Sequence, residues 1–246
     1  MNQVHITLQG KGGVGKSFVS SLLVQYLRSR GKTVRAVDTD PVNATLADYS
    51  ALEAERVELM DGSTINERKF DELIEGILAS TDTAWVVDNG ASSFIPLMNY
   101  LVENSAIQVM ADAGVQVTVH TVVTGGQALE DTLRGLKSLV TQLPAQAQVI
   151  VWLNEFFGDI EAVDSTGVVR PFEQMKVYAA NQDRISGLIR IHRQTSSTFG
   201  KDIQLMLDAK QTFDQVANST HFGLMARQRL ATVRRALWEQ MDAVVA

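Results

Sequence analysis

One stretch restricts this chain more than any other: "VHITLQGKGGVGKSF", Val4 to Phe18, an apolar run, a glycine-rich loop and the start of a helix-like segment. Such a loop between strand and helix suits phosphate, because converging backbone N–H groups and a helix N-terminus both supply positive potential. Two signatures overlap in it. Gly10, Gly12 and Gly15 spell G-x-G-x-x-G, and Asp38 ends the next apolar run, as in a dinucleotide site. Gly10 to Ser17 also spells G-x-x-x-x-G-K-S, the P-loop of nucleoside triphosphatases.

Lys16 and Ser17 decide between the two. A dinucleotide fold needs no charge after the last glycine, whereas a triphosphate site uses the ammonium on the β- and γ-phosphates and the hydroxyl on Mg²⁺. The expected nucleotide cradle therefore comprises Gly12, Gly13, Val14, Gly15, Lys16, Ser17 and Phe18. A P-loop enzyme also needs an acid at the end of a neighbouring buried strand to orient the metal. Asp88 ends the run "AWVVD" and precedes Asn89-Gly90, a turn suited to a switch. A tight turn and a helix cap are the plain alternatives for the loop and for Asp88, and neither explains the two together.

The rest of the pattern sets the fold class. Strand-like runs at Val4–Leu8, Thr33–Asp38, Ala84–Asp88, Val115–Val123, Gln148–Asn154 and Gly187–Ile191 alternate with helix-like segments. Those helices are expected at Ser17–Arg30, Ala44–Ala54, Asn66–Ser80, Gly126–Thr141, Phe199–Ala209 and Phe222–Val245, with further short strands at Val57–Met60 and Ile107–Met110. Alternation of this kind predicts β-α-β units and a doubly wound, mostly parallel sheet in one three-layer α/β/α domain spanning residues 1–246. Phe156–Gly167 reads as a mobile insertion. With 45% apolar and 20% charged residues the chain can build a large core, and a net charge of −6 argues against a generally basic nucleic-acid binder. Absence of cysteine excludes disulfides, thiolate metal sites and cysteine nucleophiles. No leader and no membrane-length apolar run is visible, so a cytoplasmic location is expected.

Lys11 opens the loop, giving K-G-G-V-G-K-S with a lysine at each end, which an ordinary P-loop does not need. In this the chain resembles the deviant Walker A P-loop ATPases, the ParA/MinD group, whose signature is K-G-G-x-x-K-[ST]. "DTDPVNAT" (Asp38–Thr45) is similar to that family's switch I and "VVDNGA" to its switch II. The resemblance implies an ATP- and Mg²⁺-dependent switch that dimerises on ATP. Lys11 would reach the partner's nucleotide, Asp40 would orient the attacking water, Asp38 and Asp88 would support the metal with Ser17, and Asn154 would bond the adenine. Val42 departs from the glutamine common after Asp-Pro, and switch II lacks a usual proline, so a nucleotide-gated module without hydrolysis is the rival reading. A dinucleotide-dependent oxidoreductase is the weaker one. Through "LQGKGGVGKSF" and "TFDQVANSTHFGLMARQRL" the chain further resembles the TraL-type and MobD-like proteins of conjugative plasmids, which implies a partner in a plasmid transfer or maintenance apparatus.

The last segment, 222–245, carries Phe222, Met225, Leu230, Val233, Leu237, Met241 and Val244 on one face and Arg227, Arg229, Arg234 and Arg235 on others. It is expected to cover the sheet; docking of an acidic protein or of DNA comes next, and Glu239 and Asp242 among the arginines disfavour a membrane. The four histidines show no metal-ligand spacing, and no G-x-S-x-G supports a serine hydrolase.

Overall fold

Strands covered on both faces must be apolar on both, and the long strands of this chain are buried along nearly their whole length. The computed structural model describes residues 2–62, 64–163 and 167–245. Its first half contains β1 (Gln3–Thr7), α1 (Lys16–Ser29), β2 (Thr33–Asp38), β3 (Glu55–Arg56), β4 (Met60–Asp61), β5 (Thr64–Ile65), α2 (Arg68–Ala79), β6 (Thr83–Asp88), α3 (Phe94–Glu103) and α4 (Ala106–Asp112). There follow β7 (Gln116–Thr124), α5 (Leu129–Gln142), β8 (Ala147–Asn154), β9 (Glu161–Val163), β10 (Val169–Pro171), α6 (Lys176–Ala179), β11 (Ile185–Ile191), α7 (Phe199–Asp208), α8 (Phe213–Ala217) and α9 (Leu224–Val244).

Seven strands form one sheet in the order β11-β8-β7-β1-β6-β2-β3, every neighbouring pair parallel. One core packs α2 to α5 against one face, through Phe70, Ile77, Leu101, Met110 and Leu136. The other packs α1, α7, α8 and α9 against the opposite face, through Leu22, Leu23, Met206, Phe213 and Leu237. The expected three-layer, doubly wound, mostly parallel α/β fold is what forms. Register then brings Thr7, Asp38 and Asp88 level, with Thr124 opposite Asn154, so all five strand ends open on the edge where the glycine-rich loop leaves β1. This is the edge at which open α/β sheets bind ligands.

Three local expectations fail. No α-helix forms over Ala44–Ala54, where only Ser50–Leu52 makes a 3-10 turn. Asp38 takes the N–H groups of Leu46 and Ala47 at 2.8 and 3.1 Å, donors that a helix would have spent on its own carbonyls. Ile107–Met110 belongs to α4 rather than to a strand; with Ala106, Ile107 and Met110 buried, its spacing fits one helical face, which so short a run does not reveal. The strand expected at Val57–Met60 is split: Glu55–Arg56 joins the sheet and Met60–Asp61 pairs with Thr64–Ile65. Within Phe156–Gly167, Glu161–Val163 pairs antiparallel with Val169–Pro171, and residues 164–166 lie outside the described ones.

The final helix covers the sheet, as its apolar face predicts. Leu230, Leu237, Trp238 and Met241 are buried, and Val244 fills the space that Gly187 of β11 leaves free. Met225 is the exception on that face and is exposed. Arg229 reaches Asp202 on α7, Arg234 reaches Asp214 on α8, and Arg227 donates to the Ala217 carbonyl. Three of the four arginines are therefore engaged within the chain. His5 and His120 form a buried pair across β1 and β7, 2.9 Å apart. Trp152 Nε1 can only donate, so His120 Nδ1 accepts at 3.0 Å, His120 Nε2–H donates to His5 Nδ1, and the His5 proton sits on Nε2, a buried atom without a partner.

Candidate functional site: the phosphate loop and its acids

Gly13 and Gly15 adopt φ of 73° and 103°, backbone that favours glycine, and these turns fold the loop beneath the first turn of α1. Gly15 is needed twice over, because a Cβ there would lie 2.8 Å from Asn154 Nδ2. Lys16 curls back over the loop and its ammonium donates to the Lys11 carbonyl at 3.0 Å. Burial lowers its pKa, while Asp88 and then Asp40 pull it back up.

Asp88 lies at the end of β6, wholly buried beneath that ammonium. Its Oδ1 accepts from Ser20 Oγ at 2.9 Å, and Ser20 also lies 2.9 Å from Thr7 Oγ1. Its Oδ2 is buried without a hydrogen-bond partner. Desolvation pushes the carboxyl up to about 7, and the charge of Asp38 adds to the rise; the Ser17 and Ser20 hydroxyls and Lys16 oppose it. A buried carboxylate oxygen left unsatisfied beside a serine hydroxyl fits a small hard cation. Mg²⁺ takes few protein ligands and completes its shell with phosphate oxygens and water. Ser17 and Asp88 thus fit the expected metal set.

Asp38, expected to support the metal, is engaged by backbone N–H groups. Its Oδ1 accepts from the Asp40 N–H at 3.0 Å and its Oδ2 from Leu46 and Ala47, so both oxygens organise the loop after β2. Burial raises its pKa, against those three backbone bonds. Asp40 sits in the cleft, where its Oδ1 accepts from Val42 and Asn43 N–H at 2.9 and 3.0 Å. Gly90 makes room for it: a Cβ there would lie 2.5 Å from Asp40 Cγ. Thr39 Oγ1 donates towards the Asp88 carbonyl at 3.0 Å and lies 3.2 Å from Asn89 Oδ1, so the segments after β2 and β6 are clasped together.

Two expected residues point elsewhere. Lys11 turns away from the loop and pairs with Asp131 on α5 at 2.8 Å, both side chains about half exposed. That contact holds the Asp131 carboxyl below its ordinary range. Asn154 is 5% exposed; its Nδ2 donates to the Val14 carbonyl at 2.9 Å and its Oδ1 accepts from Phe156 N–H at 3.2 Å. Each end of the carboxamide makes one bond inside the chain, so Asn154 braces the loop and keeps one N–H and one oxygen lone pair. Sequence reasoning missed Gln9, Ser20 and Asp131. Ser20 carried a signal, since three residues after Ser17 places it on the same helical face. Gln9 and Asp131 reach the loop's surroundings through partners more than a hundred residues away in sequence.

A cleft of about 810 Å³ is lined by Gly12, Gly13, Lys16, Ser17 and Phe18 of the loop and α1, and by Asp40, Tyr49, Ala91, Ser92 and Leu207. The loop backbone with Lys16, the Ser17 hydroxyl beside Asp88, and Asp40 in the same cleft fit the phosphates of a nucleotide. Residues 6–222 match the CobQ/CobB/MinD/ParA nucleotide binding domain. Two proteins called Protein TraL, both from Escherichia coli, are 46% and 43% identical over 243 and 242 residues, covering 99% and 98% of this chain and 98% of each relative. The MinD cell division protein of Aquifex aeolicus has a similar fold, with a TM-score of 0.51 at 16% identity over 96% of this chain and 97% of that one. Among the described residues no helix is long and apolar enough to cross a membrane. By the extent of that domain match and by its near full-length TraL relatives, the chain belongs to the CobQ/CobB/MinD/ParA family of nucleotide-binding domains.

Proposed function

We propose that this protein is a Mg²⁺-dependent ATPase that works as a nucleotide-switched dimer and serves a plasmid transfer or maintenance apparatus in the cytoplasm. The observation that carries the reading is the trio of Lys16, Ser17 and Asp88: a buried ammonium and an unsatisfied carboxylate oxygen on either side of a hydroxyl, at the mouth of a phosphate loop. The bound metal would supply charge compensation at the phosphates. Lys16 would leave the Lys11 carbonyl for the terminal phosphates, since a phosphate oxygen is the stronger acceptor. Asp40 faces the cleft and would orient the attacking water with its second oxygen. Lys11, directed outward, would add its charge to the nucleotide of a second subunit, which makes dimerisation and ATP occupancy mutually dependent. Likeness to the TraL proteins supports the plasmid context.

Asp40 also favours the rival reading. Its Oδ1 already caps its own turn through Val42 and Asn43, so a switch that binds ATP and hydrolyses none is consistent with it. ATP turnover with and without Mg²⁺, run beside sedimentation with a slowly hydrolysed analogue, decides between them. The ATPase reading expects Mg²⁺-dependent phosphate release together with ATP-dependent self-association. Association without turnover selects the binding module, and ATP binding that is indifferent to Mg²⁺ refutes the metal site.

A further inference from the structure

Two buried serines stand side by side in α1, and they are used differently. Ser21 Oγ donates to the Phe18 carbonyl of its own helix at 2.8 Å, a common way for a serine inside a helix to be satisfied. Ser20 turns to the sheet instead, where its Oγ lies 2.9 Å from Asp88 Oδ1 and 2.9 Å from Thr7 Oγ1. Register sets that pair beneath it, because Thr7 and Asp88 are partners on the neighbouring strands β1 and β6. All three residues are at most 1% exposed, so the contacts are closed off from solvent. Alanine suits a helix interior better than serine, so helix stability gives no reason for a hydroxyl at this position.

Hydrogen counting fixes the direction of the chain. Ser20 has one hydroxyl hydrogen and an ionised Asp88 can only accept, so that hydrogen goes to Oδ1. The Thr7 hydroxyl then donates to Ser20 Oγ. His120, the partner of Thr7 on β7, is already spent on Trp152 and His5. We infer that Thr7 and Ser20 form a buried hydroxyl relay that positions Asp88, gripping Oδ1 so that Oδ2, the oxygen without a partner, is the one left for the cation. Ser20 is a positioning residue and not itself a ligand, since three residues beyond Ser17 it lies about 4.5 Å farther along the helix axis. The inference rests on the metal reading of Ser17 and Asp88. Carboxylates that serve a metal are held in turn by hydrogen bonds, and losing such a partner typically lowers metal affinity about ten- to a hundredfold.

Calorimetric titration with a slowly hydrolysed ATP analogue, run at pH 8 with Mg²⁺ and again in a chelator, isolates the cation. The ratio of the two affinities is the strengthening that Mg²⁺ brings. In Ser20→Ala this ratio should fall about tenfold, while affinity in the chelator stays within about twofold of wild type. Thr7→Val leaves the Ser20 hydroxyl in place and removes only its support, so the ratio should fall by less than in Ser20→Ala. Ser21→Ala also loses a buried hydroxyl from α1 and should leave the ratio unchanged. An unchanged ratio in Ser20→Ala, an equal loss with and without Mg²⁺, or the same fall in Ser21→Ala would overturn the relay. Wild-type affinity that is indifferent to Mg²⁺ would instead refute the metal reading on which the relay depends.

Discussion

Asp88→Asn tests the centre of the site through its electrostatics. The carboxyl is wholly buried and desolvation pushes it up to about 7 from an ordinary 3.8. The fold therefore binds a proton that the unfolded chain has released over that interval. Stability from this group is present in full below pH 3.8 and is lost as pH rises towards 7. At 1.36 kcal/mol per pH unit the whole interval is worth about 4 kcal/mol, of which about 2 falls between pH 5 and 7. Asparagine cannot ionise and keeps the acceptor for Ser20, so the variant escapes the penalty. Its amide replaces the unpartnered Oδ2 at a fixed cost that does not vary with pH. The wild-type curve alone is a poor test, because the buried His5–His120 pair works the other way. His5 falls to about 4 on burial, so its contribution rises with pH between about 4 and 6.5. The difference between variant and wild type cancels the histidines.

Urea unfolding at pH 5, 6, 7 and 8, in a chelator, should show Asp88→Asn gaining on wild type by about 2 kcal/mol from pH 5 to 7 and levelling above. The same carboxyl should be about half protonated at pH 7, so binding of Mg²⁺-ATP should release about half a proton, read by calorimetry in two buffers of different ionisation enthalpy. A stability difference that stays flat from pH 5 to 8 would refute the buried-acid argument and, with it, the reason for placing a cation at Oδ2.

Four further outcomes follow from named contacts. Lys11→Ala should leave ATP affinity nearly unchanged, because its side chain points to Asp131, but lower turnover and ATP-dependent association together; unchanged sedimentation with analogue would exclude the cross-subunit role. Asp131→Asn frees Lys11 from an exposed ion pair, so association should strengthen, by no more than a few-fold, and the gain should shrink in high salt. Gly15→Ala must hold an alanine at φ of 103° and push Asn154 off Val14; it should lose about 1–3 kcal/mol in urea unfolding and bind ATP more weakly. Arg229→Glu places a second carboxylate beside the buried Asp202, and its urea midpoint should fall well below that of Arg235→Glu, whose side chain faces solvent.

What could be read in the sequence was what neighbours in the sequence decide. The loop is a motif of eight residues whose glycines, lysine and serine act within two turns of chain, so its phosphate chemistry is visible before any fold is known. The parallel sheet is similarly visible, because strands buried on both faces are largely apolar runs. Asp38 shows where that reasoning stops. Its place at a strand end suggests a metal, yet its oxygens are consumed by the N–H groups of Leu46 and Ala47, and the same bonds deny a helix to Ala44–Ala54. Asn154 likewise takes a backbone partner, the Val14 carbonyl next to the left-handed turn at Gly15. In each case a polar side chain at the sheet edge is claimed by a backbone group that only the folded loop presents.

Those captures explain how the loop can wait for a phosphate. Asn154 holds it at Val14, and Gln9, buried just before it, donates to the carbonyls of Val122 and Thr132 at 2.9 and 3.2 Å. The loop is thereby fixed to β8 on one side and to β7 and α5 on the other, so ligand binding spends little on ordering it. Lys16 makes the contact that has to change, because its ammonium sits on the Lys11 carbonyl. When Lys16 moves to a phosphate it releases the backbone of Lys11, whose side chain is meanwhile held at Asp131, one residue before the Thr132 that Gln9 grips. Occupancy of the phosphate site and the freedom of Lys11 are thus linked through a single carbonyl. Under the cross-subunit role proposed for Lys11, such a link would loosen its backbone only when there is a triphosphate to present.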